Sequence, residues 1–157
     1  MLKRGLVTAV VVVILDQLSK AAVLAHFAGR PLGDRETITS FFNLALTYNR
    51  GISFGLFNGG AGLNSLIFSL AAGAIVALLI FWLSRATSPF LAFAIGLIIG
   101  GAAGNVIDRL RLGAVVDFLD FHVESLHWPA FNLAESAICI GVAAMLLDGL
   151  VVRREAH

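Results

Sequence analysis

The sequence is poor in charged residues. Only 13% of its 157 residues are Asp, Glu, Lys or Arg, which is about half the share found in ordinary soluble domains. Hydrophobic residues make up 59% of the chain, so the composition also excludes a disordered protein. The formal net charge is +1, and without a basic excess we expect no nucleic-acid partner. These values indicate a small integral membrane protein.

Cysteine is nearly absent. The one cysteine, Cys139, cannot form an internal disulfide, and it excludes a zinc site built on several thiolates. Because it lies in an apolar run, we expect it to be a small buried hydrophobic residue.

Charge is missing from two stretches that are long enough to cross a bilayer, which takes about 20 apolar residues. Two further apolar stretches, at the beginning and the end of the chain, contain a few charges. The four predicted spans are about 5–27, 63–83, 89–109 and 131–152, with outer loops of about 28–62 and 110–130. We therefore predict a mostly α-helical membrane protein with a single membrane domain over residues 1–157.

Basic residues in the short connections predict the orientation. One side of the four-span arrangement receives Lys3, Arg4, Arg85, Arg153 and Arg154. By the positive-inside rule this side is cytoplasmic, so both termini are expected inside. The first segment also resembles a signal peptide, but Asp16 and Lys20 interrupt its apolar run, and we interpret it as a retained helix.

A period of two predicts β-structure in the first outer loop. Apolar residues alternate with smaller or polar ones over residues 42–48, and the alternation resumes over 52–56 after a turn at 49–51. This pattern is typical of a hairpin. We expect a small β-hairpin or sheet at the outer membrane face, between the first and second spans.

Polar side chains gather at the outer ends of three predicted spans. They are Asp16, Lys20, Asn105, Asp108, Arg109, Asn132 and Glu135. Polar groups within spans are costly and usually functional. We interpret the pairs Asp16–Lys20 and Asp108–Arg109 as structural ion pairs that hold helices together.

Two acids lie in apolar surroundings that suit a general acid and a general base. Asp117 lies in an apolar stretch of the second outer loop, and Glu135 lies just inside the last span. Two carboxyl groups brought together in a partly desolvated site share one proton, which provides a general base and a general acid, as in aspartic proteases. The alternatives are that Glu135 complements a helix N-terminus and that Asp117 is a solvated loop acid.

Three other sequence patterns bear on a nucleophile, a metal site and helix packing. Residues 51–55 match the G-x-S-x-G turn around a serine nucleophile, but the predicted fold has no α/β sheet to hold such a turn. A metal site is a second possibility, since His122 and His127 flank Glu124. Their H-x-E-x-x-H spacing differs from the zinc motif H-E-x-x-H and does not place both histidines on one helical face, which argues against a metal site. Close helix packing is indicated by small residues at every fourth position, namely Gly96, Gly100 and Gly104.

Five blocks follow one another along the four-span plan. They are DQLSK at 16–20, NRGISFG at 49–55, GGAAGNVIDR at 100–109, VDF at 116–118 and FNLAES at 131–136. In order and content the blocks resemble those of the bacterial lipoprotein signal peptidases (signal peptidase II), a family of four-helix aspartic proteases of the inner membrane.

The resemblance implies roles for individual residues. Asp117 and Glu135 would be the catalytic pair, although the family has aspartate at the second position, in a Phe-Asn-x-Ala-Asp block. Substrate binding and polar support would come from Asn49, Gly51, Asn105, Arg109 and Asn132, and structural ion pairs from Asp16, Lys20 and Asp108. Glutamate keeps the carboxylic acid but adds a methylene, which displaces the acid from the position of the family's aspartate. Three interpretations follow: a working variant, a naturally weakened or inactive homologue, or a variant with an engineered change at this position.

The resemblance also implies a substrate and a location. The substrate would be a diacylglyceryl-prolipoprotein in membrane lipid, cleaved just before its lipidated cysteine by carboxylate-activated water, with no metal or organic cofactor. The enzyme would act as a monomer in the bacterial inner membrane, with its active site facing the periplasm. A small four-span transporter is the alternative, and it would need polar groups through the depth of the bundle.

Overall fold

Four long helices form the body of the protein in a computed structural model, which describes residues 1–51 and 60–155. They are α1 (Leu2–His26), α2 (Gly60–Ser84), α3 (Pro89–Leu112) and α4 (Leu133–Glu155). Each contains a stretch that is long and apolar enough to cross a membrane. The predicted fold class, a mostly helical membrane protein with four spans, is confirmed.

Helix α3 is the central helix, because each of the other three packs mainly against it. Its glycines allow the close approach: a Cβ on Gly100 would lie 2.7 Å from the main-chain oxygen of Ala9 in α1, and a Cβ on Gly101 would collide with Ala134 in α4. A Cβ on Gly104 would lie 2.5 Å from the carboxylate of Asp16. The close packing predicted from the small residues is therefore confirmed.

Capping residues define both ends of α3. The Ser88 hydroxyl accepts a hydrogen bond from Leu91 N at 3.2 Å, and Pro89 occupies the first turn. At the other end Gly113 adopts a left-handed conformation with φ 72°, which stops the helix. The chain is thereby released into an extended segment two residues later.

A four-stranded antiparallel sheet lies beyond the helices. Its strands are β1 (Arg35–Thr39), β2 (Phe42–Asn49), β3 (Val115–Val123) and β4 (Leu126–His127), paired in that order. The predicted strand over residues 42–48 is present as β2, but its hairpin partner is β1, and the second predicted strand at 52–56 lies outside the described residues. The segment 110–130, expected only as an outer loop, contributes β3 and β4.

An apolar cluster attaches the sheet to the end of α1. Val23 and Phe27 of α1 pack with Leu46 of β2 and with Val116 and Phe118 of β3. The residue between the last two is Asp117, so this cluster fixes the position of an acid at the end of the helical bundle.

Cys139 is exposed on the surface of α4, so the prediction that it is buried is wrong. In a spanning helix the lipid-facing side is as apolar as the protein-facing side. An apolar run around a cysteine therefore does not indicate which way the thiol points.

Candidate active site

Asp117 is a buried acid in the sheet. It pairs with Thr47 of β2 across the strands, and the Thr47 hydroxyl donates to its main-chain oxygen at 3.1 Å. The carboxyl oxygen Oδ1 accepts from Asn132 Nδ2 at 2.6 Å. Burial raises the pKa of the Asp117 carboxyl above its ordinary value, and hydrogen bonding from Asn49 and Asn132 offsets only part of that effect. The site therefore favours the protonated acid more than water does.

Asn132 links Asp117 to the beginning of α4. Its side chain is fully buried, and its Oδ1 accepts from Glu135 N at 2.9 Å, which is the geometry of a helix N-cap. Glu135 follows one turn into the helix and is half-buried. A single amide side chain thus contacts both segments that carry the two predicted acids.

Asn105 and Arg109 border the same site from α3. Asn105 Oδ1 accepts from Asn132 Nδ2 at 3.3 Å. Arg109 is half-buried, and its guanidinium lies 5.6 Å from the centre of the Phe68 ring. This is within the range of a cation–π contact, which holds the guanidinium on the α2 side of α3.

Asn49 and Gly51 approach Asp117 from the end of β2. Gly51 N donates to Asn49 Oδ1 at 2.9 Å, and Gly51 has φ 96°, a left-handed conformation that favours glycine. A Cβ here would also lie 2.6 Å from the Phe68 ring. The turn therefore orients the Asn49 amide, and only Gly51 of the 51–55 serine motif belongs to the described residues.

A cavity of about 830 Å³ opens beside Asp117. Its polar lining includes Thr47, Asn49 and Asp117, and its apolar lining includes Leu32, Leu46 and Trp128. Gly51 also borders it. Glu135 is not among the described residues that line it. The volume lies within the usual range for ligand pockets, and the mixed lining suits a ligand that is both polar and apolar.

The buried ions form a three-membered cluster rather than two separate pairs. Lys20 Nζ lies 2.8 Å from Asp16 and 2.7 Å from Asp108. Asp108 therefore pairs with Lys20 and not with Arg109, contrary to the expected pairing. Successive residues of a helix point in different directions, so Asp108 and Arg109 do not face each other.

A second polar cluster, which sequence reasoning missed, borders the same cavity. Asp120 is buried, and its carboxylate contacts His127 at 2.8 Å, Arg35 at 3.1 Å and Asn43 at 3.1 Å. Burial raises the pKa of Asp120, but the hydrogen bonds from His127 and Asn43 together with the charges of Arg35 and His127 outweigh it, and the net pKa is lowered. The cluster therefore ties β1, β2 and β4 to β3.

The H-x-E-x-x-H pattern is a β-hairpin. His122 pairs with His127 across β3 and β4, and Glu124 occupies the turn with φ 53°. Because β4 has just two residues, it is too short for a strand periodicity to be recognised in the sequence.

The chain matches a family model described as Signal peptidase (SPase) II over residues 8–151. It is 48% identical over 143 residues to the lipoprotein signal peptidase of Ralstonia nicotianae, covering 90% of this chain and 80% of that protein. The lipoprotein signal peptidase of Paraburkholderia phymatum is also 48% identical over 143 residues, covering 90% of this chain and 84% of the relative.

Solved structures are similar as well. A bacterial membrane enzyme determined by the in meso method at 1.9 Å resolution has a TM-score of 0.80 and 32% sequence identity, and the match covers 93% of this chain and 92% of that one. A second one, at 2.3 Å resolution, has a TM-score of 0.75 at 32% identity, and the match covers 93% of this chain and 87% of that one.

Proposed function

The chain belongs to the signal peptidase II family, and on that premise we propose that it removes signal peptides from diacylglyceryl-prolipoproteins by cutting just before the lipidated cysteine. Family membership and four apolar helices together make it a multi-pass membrane protease.

The catalytic pair in this proposal is Asp117 and Glu135. One ionised carboxylate accepts a proton from water as the water oxygen bonds to the scissile carbonyl carbon, and the other carboxyl donates its proton to the carbonyl oxygen. When the C–N bond breaks, a proton passes to the departing nitrogen of the lipidated cysteine. Two acids that share one proton supply both roles, without a metal or organic cofactor.

The observation that carries this proposal is the double contact made by Asn132. Its side chain donates to the Asp117 carboxyl and accepts from Glu135 N. The cavity beside Asp117 supports the proposal further, because its lining combines polar side chains, such as those of Thr47 and Asn49, with apolar ones. A lipid-bearing peptide has both kinds of surface.

The proposed location is the bacterial inner membrane, with both termini in the cytoplasm, the sheet and the active site at the periplasmic face, and a single chain as the active unit. The distribution of basic residues in the sequence supports the orientation of the termini. Among the described residues, the buried charged side chains all lie at the sheet end of the bundle: Asp16, Lys20, Asp108, Asp117 and Asp120. A transporter would need such groups through the depth of the bundle, so this distribution favours the protease.

Cleavage of a purified diacylglyceryl-prolipoprotein in detergent tests the proposal. The parent chain is expected to release the signal peptide, and Asp117→Asn to release none. Asp148→Asn is the matched control, because Asp148 contacts Ser88 near the opposite end of α3 and should leave cleavage unchanged. Cleavage by Asp117→Asn at the parent rate would contradict the proposed site.

A further inference from the structure

The Lys20 ammonium uses all three of its N–H groups inside the protein. Its Nζ lies 2.8 Å from Asp16 Oδ2 and 2.7 Å from Asp108 Oδ2, and it donates to Asn105 Oδ1 at 3.0 Å. The side chains of Lys20, Asp16 and Asp108 are at most 4% exposed. We refer to these three residues as the buried triad.

Each carboxylate of the buried triad also holds a backbone amide. Asp16 Oδ1 accepts from Ala134 N at 2.9 Å, and Asp108 Oδ2 accepts from Val116 N at 3.2 Å. Ala134 directly precedes Glu135, and Val116 directly precedes Asp117. The two carboxylates that flank Lys20 therefore hydrogen-bond to the two backbone segments that carry the proposed catalytic pair.

The contacts through Asp16 and through Asp108 are two branches that start at Lys20, and a third branch leads from Lys20 to the Asp117 carboxyl itself. Lys20 donates to Asn105 Oδ1, the same oxygen accepts from Asn132 Nδ2 at 3.3 Å, and Asn132 Nδ2 also donates to the carboxyl. All three branches begin at one nitrogen atom. Shifting that nitrogen would therefore shift both backbone segments and the amide between them.

Stability alone is a weak account of the buried triad. Burying an ion pair costs desolvation free energy that its attraction often fails to recover, and apolar residues of the same volume stabilise a core as well or better. Two carboxylates and one ammonium also leave an excess negative charge. A role in geometry explains why such a cluster contacts both backbone segments.

We propose that Lys20 is a positioning residue for the catalytic pair, setting the separation and orientation of Asp117 and Glu135 through the two triad carboxylates and Asn105. This inference rests on the proposed function. Proton transfer needs donor and acceptor within hydrogen-bond reach, and a displacement of about 1 Å can cost about 100-fold in rate. The role differs from the purely structural one expected from the sequence.

The triad also affects the charge state of Asp117. The ammonium lowers the pKa of the Asp117 carboxyl, whereas the Asp108 carboxylate raises it. Removing either group should therefore move the acidic limb of the pH–rate profile, and the two removals should move it in opposite directions.

The test compares Lys20→Met and Asp108→Asn with the parent and with Ser88→Ala, which removes a helix cap far from the site. The kinetic parameters kcat and KM are measured on a diacylglyceryl-prolipoprotein across about pH 5 to 9, at a temperature below each variant's melting temperature. Lys20→Met is expected to lower kcat by about 100-fold, with little change in KM. The acidic limb of the Lys20→Met pH–rate profile should move to higher pH. Asp108→Asn is expected to lose less kcat, and the acidic limb of its profile should move to lower pH.

Ser88→Ala is expected to melt earlier but to keep its kcat and its pH profile. If the triad variants also melt earlier while kcat stays within about threefold of the parent and the limb does not move, Lys20 is only structural and the inference is wrong. If Lys20→Met does not fold, Asp108→Asn decides, because it keeps the Asp16–Lys20 pair. Absence of cleavage by both the parent and Glu135→Asp would instead overturn the proposed function, and with it this inference.

Discussion

Asn132 Nδ2 lies 2.6 Å from Asp117 Oδ1, while the oxygen of the same amide caps α4 through Glu135 N at 2.9 Å. One side chain therefore caps a helix and also contacts an acid of the proposed catalytic pair. The two roles use different atoms, so substitutions can separate them.

Asn132→Ala should lose both roles, and Asn132→Ser only one. Serine is a good N-cap residue, but its side chain is too short to reach Asp117. Asn132→Ala is expected to lower the free energy of unfolding by about 1 kcal/mol or more, and Asn132→Ser by much less. Both should lose cleavage by about 100-fold, since both lose the contact that orients Asp117. Thermal unfolding and cleavage rates, measured in the same detergent, check this, and parent-like cleavage by Asn132→Ser would contradict it.

Asp117→Asn should abolish cleavage but make the protein more stable than the parent at high pH. Burial raises the pKa of Asp117 in the folded protein, so the folded state holds this proton to higher pH than the unfolded state does. The stability associated with it is fully present below the unfolded pKa and is lost as pH rises through the folded pKa. The variant, which cannot ionise there, should melt above the parent at about pH 8 and lose that advantage at about pH 4. A parent that melts higher than the variant at the upper pH would show that the site stabilises the ionised carboxylate.

The helices of this fold could be predicted from the sequence because their signals are local. The predicted span of about 89–109 begins at the first residue of α3 and ends three residues before its last residue, Leu112. The strand β2 shows the alternation expected of a half-buried strand. The first half of β3 does not, since Val115, Val116, Asp117 and Phe118 are all buried. A strand covered on both faces reads as a continuous apolar run, and its existence was missed.

Contacts between distant segments could not be predicted. The Asp16–Lys20 pair follows from a spacing of four residues on one helix, but the second partner of Lys20 is Asp108 in another helix. The Asp120 cluster likewise joins residues from four strands. Which of several acids meets a given cation depends on how the elements pack, and no single-sequence pattern contains that information.

Reporter fusions can test the proposed topology. Fusions at Arg85 and Arg153 should report the cytoplasm, and fusions near Arg35 and Glu124 the periplasm. The reason is the excess of basic residues in the connections on the first side. Arg35 lies in β1 and Glu124 in the turn between β3 and β4 of the same sheet, so they must report the same side. A periplasmic signal at Arg85 would invert the arrangement and move the active site to the other face.

Substitutions at Glu135 decide whether glutamate serves as the second acid. Its backbone is held firmly, because Asn132 caps its amide and Asp16 accepts from Ala134 N, one residue earlier. The carboxyl therefore differs from that of an aspartate mainly by one methylene of reach. Glu135→Asp, which restores the residue of the family's motif, is expected to preserve or raise the cleavage rate. Glu135→Gln keeps the size but removes the ionisable group, and should abolish cleavage.

The double variant Glu135→Asp with Asp117→Asn provides the control, since it should be inactive however well the new aspartate works. Cleavage rates on one diacylglyceryl-prolipoprotein, with melting temperatures to confirm folding, give the comparison. If Glu135→Gln cleaves at the parent rate, Glu135 is not part of the pair, and its half-buried carboxyl only complements the N-terminus of α4. If Glu135→Asp cleaves much faster than the parent, the glutamate is a natural or introduced weakening, because the shorter side chain then places its proton better for transfer.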